Sequence, residues 1–275
     1  MANAITEDFS TILADPVFTP ALKEQIKSVK EFQTKTERFV DEVIKGTHPH
    51  AVLQGPPGLG KSYAVTQSLK RAGKKEGVDY MVVKGHVTPM NLFLTLYMFR
   101  RPGQVVVLDD CDDVLIKDTG LEVLKAVCDN DYRTVKWISN NVPVINGTPL
   151  TEYVFNGTLI VCTNMAMTTG RGGRRDRAAG AFLSRLTNWP LKLESRERMF
   201  AQIFNMVVDV DYLSREVRTT LTLEQKRDML AFILYHLDEI SSLDLRLPQK
   251  IAACIVADPA DWQNTAKHII THGGV

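Results

Sequence analysis

"AVLQGPPGLGKS", residues 51–62, joins a short apolar run to a glycine-rich loop and then to a helix start. Gly55, four residues, then Gly60, Lys61 and Ser62 match the P-loop pattern. The glycines permit a loop whose backbone N–H groups point inward at phosphate oxygens. The helix that follows adds its positive N-terminal end. This reading assigns Gly55, Pro56, Pro57, Gly58, Leu59, Gly60, Lys61, Ser62 and Tyr63 to nucleotide binding. Lys61 would meet the β- and γ-phosphates. Ser62 would ligate Mg2+, a hard cation that prefers oxygen. The alternative is a Gly/Pro-rich turn that binds nothing. The strand before the loop and the helix after it weigh against that.

Outward from this loop, short apolar runs alternate with helical segments between residues 46 and 195. The runs are "AVLQ" (51–54), "YMVV" (80–83), "VVVLDD" (105–110), "TLIVCTN" (158–164) and "WPLKL" (189–193). Near-continuous apolar strands separated by helices imply an α/β fold with a parallel sheet covered on both faces. Residues 1–45 read as helical, with Leu22, Ile26, Val29, Phe32, Phe39 and Val43 at roughly helical intervals. From 196 the strands stop. Thr222 and Gln225 have capping-box spacing, and Met229, Leu230, Ile233, Leu234, Leu237 and Ile240 form one apolar stripe. "LRLPQKIAACIVA" and "DWQNTAKHIITH" read as further helices. The expected organisation is an N-terminal helical segment (1–45), an α/β nucleotide-binding domain (46–195) and a small all-helical domain (196–275). In 135–157, Asn146-Gly147 is a turn signal between two β-prone runs and predicts an inserted β-hairpin.

"VVVLDDCDD" is an apolar run that ends in acid. A buried strand would deliver Asp109 and Asp110 to the carboxyl edge of the sheet, where α/β proteins bind ligands. Asp109 would hold Mg2+, and Asp110 would accept a proton from the attacking water or orient it. A solvated acidic loop is the alternative, and the phosphate cradle upstream argues against it. Asp112 and Asp113 read as exposed and helix-capping, with a catalytic backup role as the alternative.

Composition narrows the class. The net charge is +1, and 44% of residues are hydrophobic against 24% charged. That is ordinary for a globular protein and predicts neither a strong nucleic-acid field nor a membrane-surface protein. The four cysteines, Cys111, Cys128, Cys162 and Cys254, form no C-x-x-C pair. They read as reduced, buried thiols rather than a zinc or redox site. "MANAITEDFS" lacks the basic start and apolar run of a signal peptide. Tyr153–Gly170, interrupted by Asn, Thr and Gly, reads as a buried strand plus a loop and not a membrane span.

Taken in order, these motifs resemble the AAA+ ATPases. Walker A is "GPPGLGKS" and Walker B is "VVVLDD". "TLIVCTN" ends in Thr163-Asn164, where the family places its sensor 1 polar residue. "AFLSRLTNWPLKL" supplies Arg185 near a helix end, and "SSLDLRLPQK" supplies Arg246, with Asp244 as its N-cap. The resemblance spans residues 52–250. It implies ATP and Mg2+ as cofactors and hydrolysis of the ATP phosphoanhydride. It also implies that Asn164 contacts the γ-phosphate or lytic water and that Arg246 in the helical lid contacts the phosphates. Arg185 would serve a neighbouring subunit's nucleotide in trans, which requires a homo-oligomer, commonly a hexameric ring. Arg185 also reads as a helix C-terminal cation favoured by the dipole. One departure stands out: the residue after the Mg2+ aspartate is usually Glu, and here it is Asp110, one methylene shorter. The wording also resembles AAA+ ATPases of tailed bacteriophages, which implies action in the host cytoplasm.

The resemblance leaves the substrate open. "KGHVTPMN" (84–91) sits where relatives place a pore loop, or is a plain connection with Thr88-Pro89 starting a helix. The 135–157 hairpin could meet nucleic acid through Lys136 or Trp137, or pack Trp137 inside. Arg171, Arg174, Arg175 and Arg177 on "GRGGRRDR" could bind phosphate backbones, reach an adjacent subunit's nucleotide, or remain solvated. Three classes follow: an oligomeric ATPase that remodels or translocates a macromolecule with nucleic acid favoured, an ATP-switched loader or adaptor, and a protein-remodelling chaperone of the MoxR type.

Overall fold

The computed structural model describes residues 10–116, 118–165, 180–209, 212–213 and 221–272. The chain divides into two compact units, Thr36–Leu191 and a second made of Met1–Lys35 with Lys192–Val275. Helix α1 (Pro20–Ile44) contributes residues to both.

The Thr36–Leu191 unit is an α/β domain. Its elements are β1 (His50–Gln54), α2 (Lys61–Arg71), β2 (Tyr80–Lys84), α3 (Pro89–Met98), β3 (Val105–Asp109), α4 (Asp112–Ile116) and α5 (Asp118–Val127), followed by an insertion of four short strands. Then come β8 (Thr158–Thr163) and β9 (Thr187–Pro190). Five strands form one sheet in the order β2-β3-β8-β1-β9, with every pairing parallel. The α/β expectation therefore holds. Alternation along the central strands explains their continuous hydrophobicity. Val52, Val106, Leu108, Leu159 and Val161 pack into one core with Leu92, Phe93, Val114 and Leu124 from the helices. Their neighbours Ala51, Leu53, Val105, Val107 and Ile160 point to the other face and are also buried. A period of two with both phases buried means that helices cover both faces.

The insertion comprises β4 (Thr134–Lys136), β5 (Val144–Ile145), β6 (Thr148–Pro149) and β7 (Glu152–Val154). β5 pairs antiparallel with β6 and β4 with β7. Asn146 and Gly147 take φ of 51° and 78°, the left-handed pair that a tight two-residue hairpin needs. The hairpin expectation holds. Trp137 packs inward, its ring 5.3 Å from Phe93 and its indole N–H donating to the Asn141 carbonyl at 2.9 Å. Lys136 pairs with Glu152 at 3.5 Å.

The second unit is helical where described: α6 (Arg196–Asp209), α7 (Leu223–Tyr235), α8 (Leu247–Ala257) and α9 (Trp262–His272). The Thr222/Gln225 capping box forms in both directions. Met229, Leu230, Ile233, Leu237 and Ile240 are buried as the stripe requires. The helix itself stops at Tyr235, short of Ile240. The Arg196 guanidinium donates to the Leu237 carbonyl at 2.9 and 2.7 Å and also to that of Ile240, serving acceptors just past the helix end. Two other boundaries differ from expectation. The fifth strand is Thr187–Pro190 rather than 189–193, because Leu191 leaves the ladder after its N–H reaches the Gln54 carbonyl. Arg246, not Asp244, occupies the cap position of α8, and the Asp244 carboxylate instead accepts the Arg246 N–H at 2.8 Å. All four cysteines are free and buried, as expected. Among the described residues, no helix is long and apolar enough to cross a membrane.

Candidate functional site

Because the sheet is parallel, the carboxyl ends of β1, β8 and β3 lie side by side on one edge. The ladder continues past the strands and ties the loops together. Gly55 N–H donates to the Thr163 carbonyl at 3.2 Å, Asp110 N–H to Cys162 at 3.1 Å, and Gly85 N–H to Asp109 at 3.2 Å. Gly55 also sits against the end of β9, and a Cβ there would lie 2.4 Å from the Leu191 carbonyl oxygen. Only glycine lets the loop leave the strand at this point.

The loop then runs through exposed Pro56 and Pro57, through Gly58 (φ 75°), and over buried Leu59 to Gly60 (φ 81°). α2 starts at Lys61, so Lys61, Ser62 and half-buried Tyr63 form its first turn. The Lys61 ammonium is buried, and its three protons meet three acceptors. These are the Gly55 carbonyl at 2.7 Å, the Pro56 carbonyl at 2.8 Å and Asn164 Oδ1 at 2.6 Å. Burial lowers the Lys61 pKa, while the carboxylates of Asp110, Asp109 and Asp112 pull it back up.

β3 is buried along its whole length and ends in Asp109, itself buried. The Ser62 hydroxyl donates to Asp109 Oδ1. Lys84 at the end of β2 stands 3.7 Å from Asp109 Oδ2. The two oxygen donors expected for Mg2+ are therefore in direct contact. An all-oxygen pair beside the glycine-rich loop is a donor set that would suit that hard cation. Asp110 turns out of the strand with φ 54°, is exposed, and accepts from Asn164 Nδ2 at 2.8 Å. Asn164 thus links the loop lysine to the strand-end carboxylate through its two amide atoms.

Seven residues expected at the site (Gly55, Pro56, Lys61, Ser62, Asp109, Asp110 and Asn164) take part in these contacts. Arg185 is not among their partners. It lies just before β9, half-buried, with its guanidinium donating to the Ala181 carbonyl at 2.5 Å. Arg246 belongs to the other unit and is exposed. Arg171–Arg177 lies outside the described residues. In "KGHVTPMN", the Thr88 side chain caps α3 by accepting the Asn91 N–H at 3.2 Å, with Pro89 in the first turn. His86 in that segment lies 2.8 Å from Asp113.

Sequence reasoning gave no positioning role to three residues that the structure ties to the site. Asp112 is half-buried rather than exposed and accepts from the Thr163 hydroxyl at 2.7 Å. Thr163 is fully buried. Gln54 Nε2 donates to the Met165 carbonyl at 2.9 Å. The available signal was position: each is the last residue of a strand or the first of a helix on the edge already singled out. Cys111 and Cys162, beside the same edge, have thiol pKa values raised by burial, that of Cys111 to about 11, which makes them inert.

No protein-family model matches the chain. The chain is 22% identical over 264 residues to the uncharacterised 36.7 kDa protein of the nrdC–mobD intergenic region of enterobacteria phage T4, covering 94% of this chain and 80% of that protein. Among solved structures it is similar to domain III of the replication initiation protein DnaA from Thermotoga maritima. The TM-score is 0.44 with 12% sequence identity, over 94% of this chain and 89% of that one.

Proposed function

We propose that this chain is a Mg-dependent ATP hydrolase of the AAA+ type that acts as an oligomer to remodel or translocate a macromolecule, with nucleic acid favoured. One observation carries the reading. Two hydrogen-bonded sets, Lys61–Asn164–Asp110 and Ser62–Asp109, lie side by side on the carboxyl edge of adjacent parallel strands, held together by chain neighbours Lys61-Ser62 and Asp109-Asp110. Phosphoryl transfer needs positioning and charge neutralisation more than covalent chemistry, and this cluster offers both. A Mg2+ held by Ser62 and Asp109 would neutralise charge on the phosphate oxygens. Lys61 binds the terminal phosphates, Asn164 orients the γ-phosphate end, and Asp110 takes the proton of the attacking water. Arg185 remains the candidate trans finger and Arg246 the candidate lid arginine. The similarity to a phage protein supports a phage-encoded ATPase working in the host cytoplasm.

ATP hydrolysis measured against Mg2+ and protein concentration tests this. Wild type hydrolyses ATP, and Lys61→Ala loses both hydrolysis and nucleotide binding. A wild-type rate no higher than that of Lys61→Ala would sink the ATPase reading. Specific activity rises with protein concentration, and Arg185→Ala removes the rise. An unchanged, concentration-dependent rate in Arg185→Ala would remove the finger assignment. Single- or double-stranded DNA stimulates the rate. Absence of both stimulation and salt-sensitive binding would exclude nucleic acid as the substrate.

A second reading, the ATP-switched loader, is favoured by one feature. Asp110 is shorter than the usual Glu and is engaged by the Asn164 amide. A slow base suits a protein in which ATP binding does the work and hydrolysis resets it.

A further inference from the structure

Asn164 touches both Lys61 and Asp110, so its position sets how the loop lysine and the strand-end carboxylate are spaced. It follows directly on β8, where a chain leaving a sheet is ordinarily free to turn. Four contacts remove that freedom. The Thr163 carbonyl is held by Gly55 N–H. The Thr163 hydroxyl accepts the Met165 N–H at 3.0 Å and donates to Asp112 Oδ1 at 2.7 Å. Gln54 Nε2 grips the Met165 carbonyl at 2.9 Å. The residues on both sides of Asn164 are thus bonded to β1, the strand that leads into the phosphate loop, and to α4, the helix that follows Asp110.

These three side chains do more than satisfy buried polarity. A fully buried hydroxyl needs a partner. Thr163 has two, and one is a carboxylate, which makes a shorter and stronger bond than a neutral acceptor. The bond crosses from β8 to the first residue of α4, so it also fixes the turn that presents Asp110. Side chains that lock the rotamers and backbone of reacting groups are what a preorganised site requires.

We propose that Gln54, Asp112 and Thr163 are positioning residues that fix the backbone around Asn164, so that its amide stays between Lys61 and Asp110 within reach of the transferring phosphate. The inference rests on the ATPase reading above. It assigns them no contact with nucleotide or metal. It therefore separates binding from turnover: a displacement of about 1 Å at a reacting group can cost up to about a hundredfold in rate while uniform binding is untouched.

The test uses the full chain at saturating Mg-ATP. Thr163→Val, Asp112→Ala and Gln54→Met each lower kcat by about tenfold to a hundredfold, while KM and the affinity for a fluorescent ATP analogue stay within about twofold. Thr163→Ser and Asp112→Asn keep the donor and the acceptor and retain most of the wild-type kcat. Thr163→Val with Asp112→Ala is no slower than the worse single variant, because the two share one bond. Equal kcat in Thr163→Val, Asp112→Ala and wild type overturns the proposal, as does Thr163→Ser as slow as Thr163→Val, or a rise in KM at unchanged kcat. Should Thr163→Val fail to fold, Asp112→Ala and Gln54→Met decide. A wild type no faster than Lys61→Ala brings down the ATPase reading and this inference together. A fast wild type beside equally fast variants brings down the positioning role alone.

Discussion

The two edges of the central sheet are built from the same five strands and carry opposite kinds of polarity. At the carboxyl edge, charged and amide side chains are brought together and paired: Lys61 with Asn164, Asn164 with Asp110, Ser62 with Asp109, Thr163 with Asp112. At the amino edge, His50 begins β1 as a buried imidazole whose Nδ1 accepts the Leu159 N–H at 3.2 Å. Its ring packs 6.1 Å from that of Phe155. The insertion also joins here, since the chain leaves after α5 and returns into Thr158, the first residue of β8. Its surface carries Tyr132, Ile138, Val144 and Val154, all at least half exposed. The difference teaches where each cost is met. Polar groups gathered on the carboxyl edge pair with one another, which suits the charged ligand proposed above. On the amino edge His50 is buried beside Phe155, and apolar groups of the insertion face solvent.

Asp110→Asn tests the carboxyl edge most severely. The substitution keeps shape and removes the proton acceptor together with its negative charge. Hydrolysis is expected to fall by about 10²–10⁴-fold with ATP affinity preserved. The left-handed backbone at Asp110 suits Asn, so melting temperature should hold or rise slightly. If hydrolysis survives at near the wild-type rate, Asp110 is not the base, and the carboxyl edge binds without reacting.

The amino edge makes a different prediction, in stability rather than rate. Burial, aided by the positive charge of Arg133, lowers the His50 pKa from 6.5 to about 3. The unfolded chain therefore binds a proton that the folded chain refuses between those values. Stability is complete above pH 6.5 and is lost as pH falls toward 3. Between pH 6.5 and 5 the loss attributable to His50 is about 2 kcal/mol. Chemical denaturation across that range would measure it, and His50→Gln should flatten the slope. A wild-type slope identical to that of His50→Gln would mean the imidazole is not held neutral, and the two edges would differ less than described.

How much of this was legible follows the same divide. Strand β3 could be read because four apolar residues followed by two acids leave few other structures, and β1 because a glycine loop closes it. The hairpin could be read from Asn146-Gly147, whose left-handed pair few other sequences supply. The places of Gln54, Asp112 and Thr163 on the edge could be read too, but their bonds could not. Their partners are set by the order β3-β8-β1, and no local pattern encodes which strands become neighbours. The end of α7 was misjudged for a related reason. Leu237 and Ile240 are buried on schedule, but a buried apolar residue marks a face and not the continuation of a helix. The last strand began two residues early because Thr187 and Asn188 pair with Ala51 and Val52 through backbone groups that any residue supplies.

The mildest substitution lies in the insertion. Gly147 has φ 78°, and a Cβ there would meet nothing within 4 Å. Gly147→Ala therefore adds no clash and changes only the backbone preference, at about 1 kcal/mol. Melting should fall by a few degrees at most, since about 1 kcal/mol shifts Tm by only about 2–4 °C in a chain of this size. If the two edges work separately, basal ATP hydrolysis is unchanged by this substitution. If DNA stimulation is lost while the basal rate stands, the hairpin is the part that meets the substrate. A basal rate that falls together with the hairpin would show that β8 transmits strain along its length, from Thr158 at the insertion to Thr163 at the site, and the two edges would then be one device.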